Sequence, residues 1–286
     1  MTSYHTLNVE GTEVFYREGG TEGAPTILLL HGFPSSSAQY GRLMTLLEDS
    51  FHLVAPDYPG FGQSPPLAGT TTFDRLAQVI DAFTHAKRLT RFSAYVFDFG
   101  SPIGFRLATR DPGRIEAFIV QNANAYEVGL GPGMRALMPF WRDRAGNEEA
   151  MRTLLTLDVT RSQYTDGVPD VSAVNPDLWE LDQRYLELPD RAAVMLDLFY
   201  DYQSNVAAYP AWQEYMRVNR PPLLIAWGQN DAFFPVAGAR AYLTDVPDAE
   251  LHLFDTGHFA TATHSVEIAG LMRTFLEGIV GDQRTL

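Results

Sequence analysis

The stretch Ala94-Tyr-Val-Phe-Asp98-Phe-Gly-Ser101 decides the architecture. An apolar run ends abruptly in a small-residue turn, and residues 101–109 then read as a helix. A strand that feeds a helix directly is the unit of a parallel sheet, whose strands need crossover connections. Asp98 sits at the turn, so its carboxylate points out at the top of the sheet, over the first turn of the next helix. The free N–H groups and positive dipole end of that helix keep it ionised. A lone Asp in such a place also reads as a helix N-cap, and the rest of the chain has to separate the two.

Outward from this point, Thr26–Leu30, His52–Pro56, Phe92–Phe97, Ile115–Gln121, residues 222–227 and Glu250–Phe254 read as strands. Thr72 is a plausible cap for a helix through about His85, with Leu76, Val79, Ile80 and Phe83 on one face. Short apolar runs alternating with longer amphipathic ones predict an α/β fold. Between about Tyr126 and Tyr215 the strand signals vanish, and loops are marked by Gly129, Gly131, Pro132, Gly133, Gly167 and Pro169. This stretch is too long for a simple connection and reads as a helical lid. The expected division is a core of residues 1–125 and 216–286, with residues 126–215 as a cap.

Two further sites follow the order nucleophile, acid, base. In Trp227-Gly-Gln-Asn-Asp231 and in Asp255-Thr-Gly-His258, a strand end delivers Asp231 and His258 to loops. Such strand ends converge on one crevice in an open parallel sheet. His31-Gly-Phe-Pro34 can aim the Phe33 N–H into the same place, joined by the Phe99 N–H beside Asp98. Paired N–H donors stabilise developing negative charge. His5 and His85 read as solvated, and Asn122 and Asn124 as possible crevice residues.

Composition narrows the partners. The 286 residues carry 21 Lys+Arg against 35 Asp+Glu, a net charge of −14. That argues against nucleic acid and against anionic membranes, both of which recruit basic side chains. With no cysteine, thiolate chemistry and disulfides are excluded. Residues 1–10 lack a signal-peptide pattern, and the apolar runs fall far short of the ~20 residues that span a bilayer. The expectation is a cytoplasmic protein, monomer or homodimer, acting on a small molecule with no metal and no organic cofactor.

Taken together, His31-Gly-Phe-Pro34, Asp57-x-x-Gly60-x-Gly62-x-Ser64, the Asp98 turn, Gly228-x-x-Asp231 and Gly257-His258 resemble the α/β-hydrolase superfamily across essentially the whole chain. The resemblance implies a mostly parallel sheet flanked by helices, with an inserted helical cap. The family usually carries Gly-x-Ser-x-Gly at the nucleophile. Here Asp98 takes the serine's place and Val96 that of the first glycine, which resembles the branch of epoxide hydrolases and haloalkane or haloacid dehalogenases. That branch implies attack by Asp98 at a saturated carbon, followed by hydrolysis of the alkyl ester by His258, oriented by Asp231.

Which group leaves is read by presence and absence. Haloalkane dehalogenases hold the halide with a Trp after the nucleophile and an Asn in the first turn; here these are Phe99 and Phe33. The arginines of fluoroacetate dehalogenases are replaced by Phe99 and Pro102. Epoxide hydrolases use lid tyrosines, and Phe199-Tyr-Asp-Tyr202-Gln-Ser-Asn205 resembles one such motif, with Tyr126 and Tyr164 as candidates for the second phenol. The expectation is therefore an epoxide hydrolase forming a vicinal diol. The alternatives are a dehalogenase whose halide site uses Phe33 and Phe99 N–H groups with Trp141 or Trp179, and a non-catalytic small-ligand-binding relative. His31, Tyr202, Tyr126, Tyr164, Trp141 and Trp179 are the expected substrate-facing side chains.

Overall fold

The computed structural model describes residues 1–284, with the side chains of residues 1–279. In chain order the elements are β1 (Ser3–Val9), β2 (Thr12–Gly19), β3 (Thr26–Leu30), α1 (Gly41–Leu47), β4 (His52–Pro56), α2 (Phe73–Ala86), β5 (Phe92–Phe97), α3 (Gly100–Arg110) and β6 (Ile115–Gln121). Six helices follow: α4 (Pro132–Arg135), α5 (Met138–Arg142), α6 (Arg144–Arg152), α7 (Leu157–Thr165), α8 (Asp177–Leu186) and α9 (Arg191–Asn219). The chain then returns to the sheet through β7 (Leu223–Gly228), α10 (Val236–Asp245), β8 (Glu250–Phe254) and α11 (Ala260–Arg284).

The eight strands form one sheet in the order β1-β2-β4-β3-β5-β6-β7-β8. From β4 to β8 every pairing is parallel, while β1 and β2 add an antiparallel edge. The central strands are buried on both faces, which is why they read as unbroken apolar runs. Alternate residues feed different cores. Leu28, Leu30, Ala94 and Val96 face the core that includes Leu76, Ile80 and Ile103. Ile27, Leu29, Tyr95 and Phe97 face the one that includes Leu43, Met44 and Met272. The Thr72 cap forms as expected, its side chain accepting the Arg75 N–H, and Leu76, Ile80 and Phe83 are buried. Val79 is only partly covered.

All six expected strands form, 222–227 shifted by one residue to Leu223–Gly228. Among the described residues only helices and loops lie between β6 and β7. The expected limit at Tyr215 falls inside α9, which runs uninterrupted to Asn219. The changeover from lid to core has no loop because α9 packs on both: on α5, α6 and α8 of the insertion, and on α2, α3 and α10. Two carboxylates fix this docking, Asp197 and Asp201 accepting the Thr71 and Phe73 N–H groups, each at 2.8 Å. No helix among the described residues is long and apolar enough to cross a membrane.

Candidate active site

Asp98 occupies the turn from β5 to α3 with φ of +47°, a left-handed conformation that costs a non-glycine residue roughly 1–2 kcal/mol. The turn packs too tightly for side chains on its neighbours. A Cβ on Gly100 would lie 2.1 Å from the Leu30 carbonyl oxygen, and one on Gly32 would lie 2.4 Å from Asp98 Cβ. This sharp geometry settles the cap question. Phe99 holds the N-cap position of α3, while Asp98 Oδ1 accepts the Phe33 N–H from across the crevice at 2.7 Å. The Phe99 N–H, next along the chain, also favours the ionised form of this carboxylate.

Asp231, in the loop after β7, accepts from three groups. Its Oδ2 takes His258 Nδ1–H at 2.7 Å and Asn122 Nδ2–H at 2.8 Å, and its Oδ1 takes the Phe233 N–H at 2.7 Å. A carboxylate only accepts, so the Nδ1 of His258 carries the proton and Nε2 faces Asp98 Oδ2, 3.9 Å away. Asn122 also ties the β6 end to β7, donating to the Gly228 carbonyl at 3.1 Å and accepting the Gly228 N–H at 2.8 Å. Phe97, Phe233, Phe234 and Phe259 enclose the imidazole.

The electrostatics follow from burial. Desolvation pushes the Asp98 pKa up to about 6, against the pull of His258 and of the Phe33 and Phe99 N–H groups. Burial works against charge on His258 too, but the anions Asp231 and Asp98 outweigh it and hold its pKa above the usual value.

Above Asp98 and His258 lies a cavity of 140 Å³, walled by Phe33, Phe99, Phe199, Phe233, Met134, Leu137, Leu154 and Val159. Its one neutral polar side chain, among the described residues, is Gln163 of α7.

The structure thus brings together Asp98, Asp231, His258 and the N–H groups of Phe33 and Phe99. It does not bring the six expected substrate-facing side chains to the cavity wall. His31 is wholly buried, stacked on Tyr58 with ring centroids 4.0 Å apart, and burial drives its pKa down to about 3. Tyr202 lies behind Phe99 with its hydroxyl 3.4 Å from that of Tyr209. Tyr126 donates to Asp245 at 2.7 Å, and Tyr164 donates to Asp182 while stacking on Phe259. Trp141 Nε1–H donates to the Phe199 carbonyl at 2.8 Å, and Trp179 packs near Tyr164. Buried phenols and indoles take whatever acceptor the helix packing offers, and here the phenols turn to Asp245, Asp182 and Tyr209 and the Trp141 indole to a backbone carbonyl.

Sequence reasoning missed Gln163, Phe199 and the bond from Phe233. The last had a local signal, since an Asp two residues before a free N–H forms an Asx turn. Gln163 and Phe199 had none, because they reach the cavity only through the docking of α7 and α9.

A family model described as the alpha/beta hydrolase fold matches residues 25–265. The chain is an α/β hydrolase. This hydrolase is 42% identical over 280 residues to an uncharacterized hydrolase of Saccharomyces cerevisiae, covering 94% of this chain and 95% of that protein. It is 33% identical to a haloalkane dehalogenase of Bradyrhizobium diazoefficiens over 136 residues, which span 47% of this chain and 40% of that one. Among solved structures, a haloalkane dehalogenase of Bradyrhizobium elkani superposes with a TM-score of 0.75 at 21% identity, covering 99% of this chain and 100% of that one. A serine hydrolase of Cycloclasticus zankles gives 0.76 at 18%, covering 98% and 99%. At these identities the two structures show the shared fold.

Proposed function

We propose that this hydrolase displaces a leaving group from a saturated carbon of a small apolar substrate by forming an alkyl ester on Asp98, which His258 then hydrolyses. The observation that carries the reading is the split role of the Asp98 oxygens: Oδ1 is held by the Phe33 N–H and Oδ2 faces His258. Oδ2 attacks carbon, and the bonding pair departs with the leaving group. Water gives a proton to Nε2 and adds to Cγ, and the new oxyanion falls on Oδ1, already held by the Phe33 N–H; its collapse breaks the Cγ–Oδ2 bond and releases the alcohol, which takes the proton from Nε2. Esterification also removes one of the two anions that keep His258 protonated, so the imidazole becomes a base at the step that needs one.

For the leaving group, halide is the first reading. A halide departs as a stable anion, whereas an epoxide oxygen needs a proton, and the three expected phenols bond elsewhere. The similarity to haloalkane dehalogenases supports the same choice. This reverses the order expected from the lid motif. Epoxide opening is the second reading, favoured by Tyr202: its ring lies 6.1 Å from that of Phe99, and among the described residues its hydroxyl has only the long Tyr209 contact.

The test is the intact mass of a His258→Gln variant after exposure to small alkyl halides and epoxides. A gain of the alkyl group without halide supports the first reading, and a gain of the whole epoxide supports the second. Asp98→Asn in the same background should take up neither. No adduct with either class sinks the ester mechanism.

A further inference from the structure

We infer that Gln163 binds the leaving atom, its side-chain N–H donating to the anion that develops there, whether halide or alkoxide. The inference rests on the Asp98 ester reading. Gln163 is only 5% exposed and shares the cavity wall with Asp98 and His258. Its polar neighbours on α7 are committed elsewhere: Thr160 donates to Gln183 at 2.9 Å and Tyr164 to Asp182. The Gln163 amide has no such partner among the described residues and is not sealed off from the cavity, so a ligand there can reach it.

The chemistry of displacement fits that position. As the bond from Oδ2 to carbon forms, the leaving atom moves away from Asp98, with its electron pair, into the rest of the cavity. Apart from Asp98 and His258 the wall is apolar side chains and this one amide. A halide then dissociates. An epoxide oxygen stays on the neighbouring carbon and takes its proton from water. In both cases the group that needs a hydrogen bond is a nascent anion, and an amide N–H supplies one without carrying charge.

The test follows ester formation by intact mass in His258→Gln and in His258→Gln/Gln163→Met, with n-butyl bromide and butene oxide as probes. Loss of a hydrogen bond to a charged group should slow adduct formation about ten- to a hundredfold. Slowing with the bromide alone assigns the bond to halide, with the oxide alone to alkoxide, and with both to either anion. Rates within twofold for both probes overturn the inference. With His258 intact and the bromide as probe, Gln163→Met must leave ester hydrolysis unchanged, because the halide has already gone; equal slowing of both steps would mean that Gln163 only shapes the cavity. Should that variant fail to fold, Gln163→Glu keeps the shape, exchanges donor for acceptor and slows the same step. If His258→Gln with Gln163 intact forms no adduct, the Asp98 reading itself fails and takes this one with it.

Discussion

A nucleophilic carboxylate works only when ionised, and for Asp98 in the proposed role the burial that strips it of water also makes it hard to ionise. With its pKa pushed up to about 6, kcat/KM for a neutral substrate should fall on the acid side with a midpoint near pH 6. A midpoint near pH 4, the ordinary range, would mean that the carboxylate is hydrated. The sign of one neighbour can be checked separately. His258 lowers the Asp98 pKa, so in His258→Gln the acid limb of ester formation should move to higher pH, read from trapping rates. Asn122 supplies another residue-scale prediction. It donates to the same Asp231 oxygen that orients His258, so Asn122→Ala should slow ester hydrolysis about tenfold and leave ester formation nearly untouched. An ester that accumulates in an enzyme with His258 intact is the expected signature; parallel loss of both steps would point to general misfolding. These three residues were legible in the sequence because each lies just past a strand: Asp98 and Asn122 directly after β5 and β6, and His258 in the short loop after β8.

At the scale of elements, the clearest test is the joint between α9 and α2. Asp201 accepts the N–H of the first residue of α2, doing from another helix what a capping side chain does locally. Asp201→Ala should cost about 1 kcal/mol, seen as a lower urea midpoint at unchanged slope, with ester formation retained. The same elements show where sequence reading stops. β3 and β5 declare themselves because both faces are buried. The hairpin of β1 and β2 escaped notice because most of β1 faces solvent, leaving no apolar alternation to frame the turn through Glu10 and Gly11, both at positive φ, which Asn8 braces by accepting the Gly11 N–H at 3.0 Å. Helices α10 and α11 were unread for a different reason: they matter through packing against the sheet, not through any motif.

For the whole molecule, the proposed reaction makes the cavity the limit on substrate size. An apolar cavity of about 150 Å³ holds a molecule the size of benzene, so the 140 Å³ above Asp98 should accept about six non-hydrogen atoms. Across a homologous series of bromides, kcat/KM should rise to that length and drop beyond it; a continued rise would show that the cap yields to longer chains. This limit, like Gln163, could not be read from sequence. The lid's tyrosines were visible as residue types, but which way a helix turns its hydroxyls depends on how it docks, and that is a property of the assembled molecule. The docking is also uneven. α9 crosses from cap to core without a break, and Asp197, Asp201 and Arg191, which donates to the Ser64 carbonyl at 2.6 Å, tie its length to the loops before α2. A cap sewn down along one margin cannot lift like a hatch. The insertion therefore has its least freedom along α9, and that helix also carries Phe199 into the cavity wall.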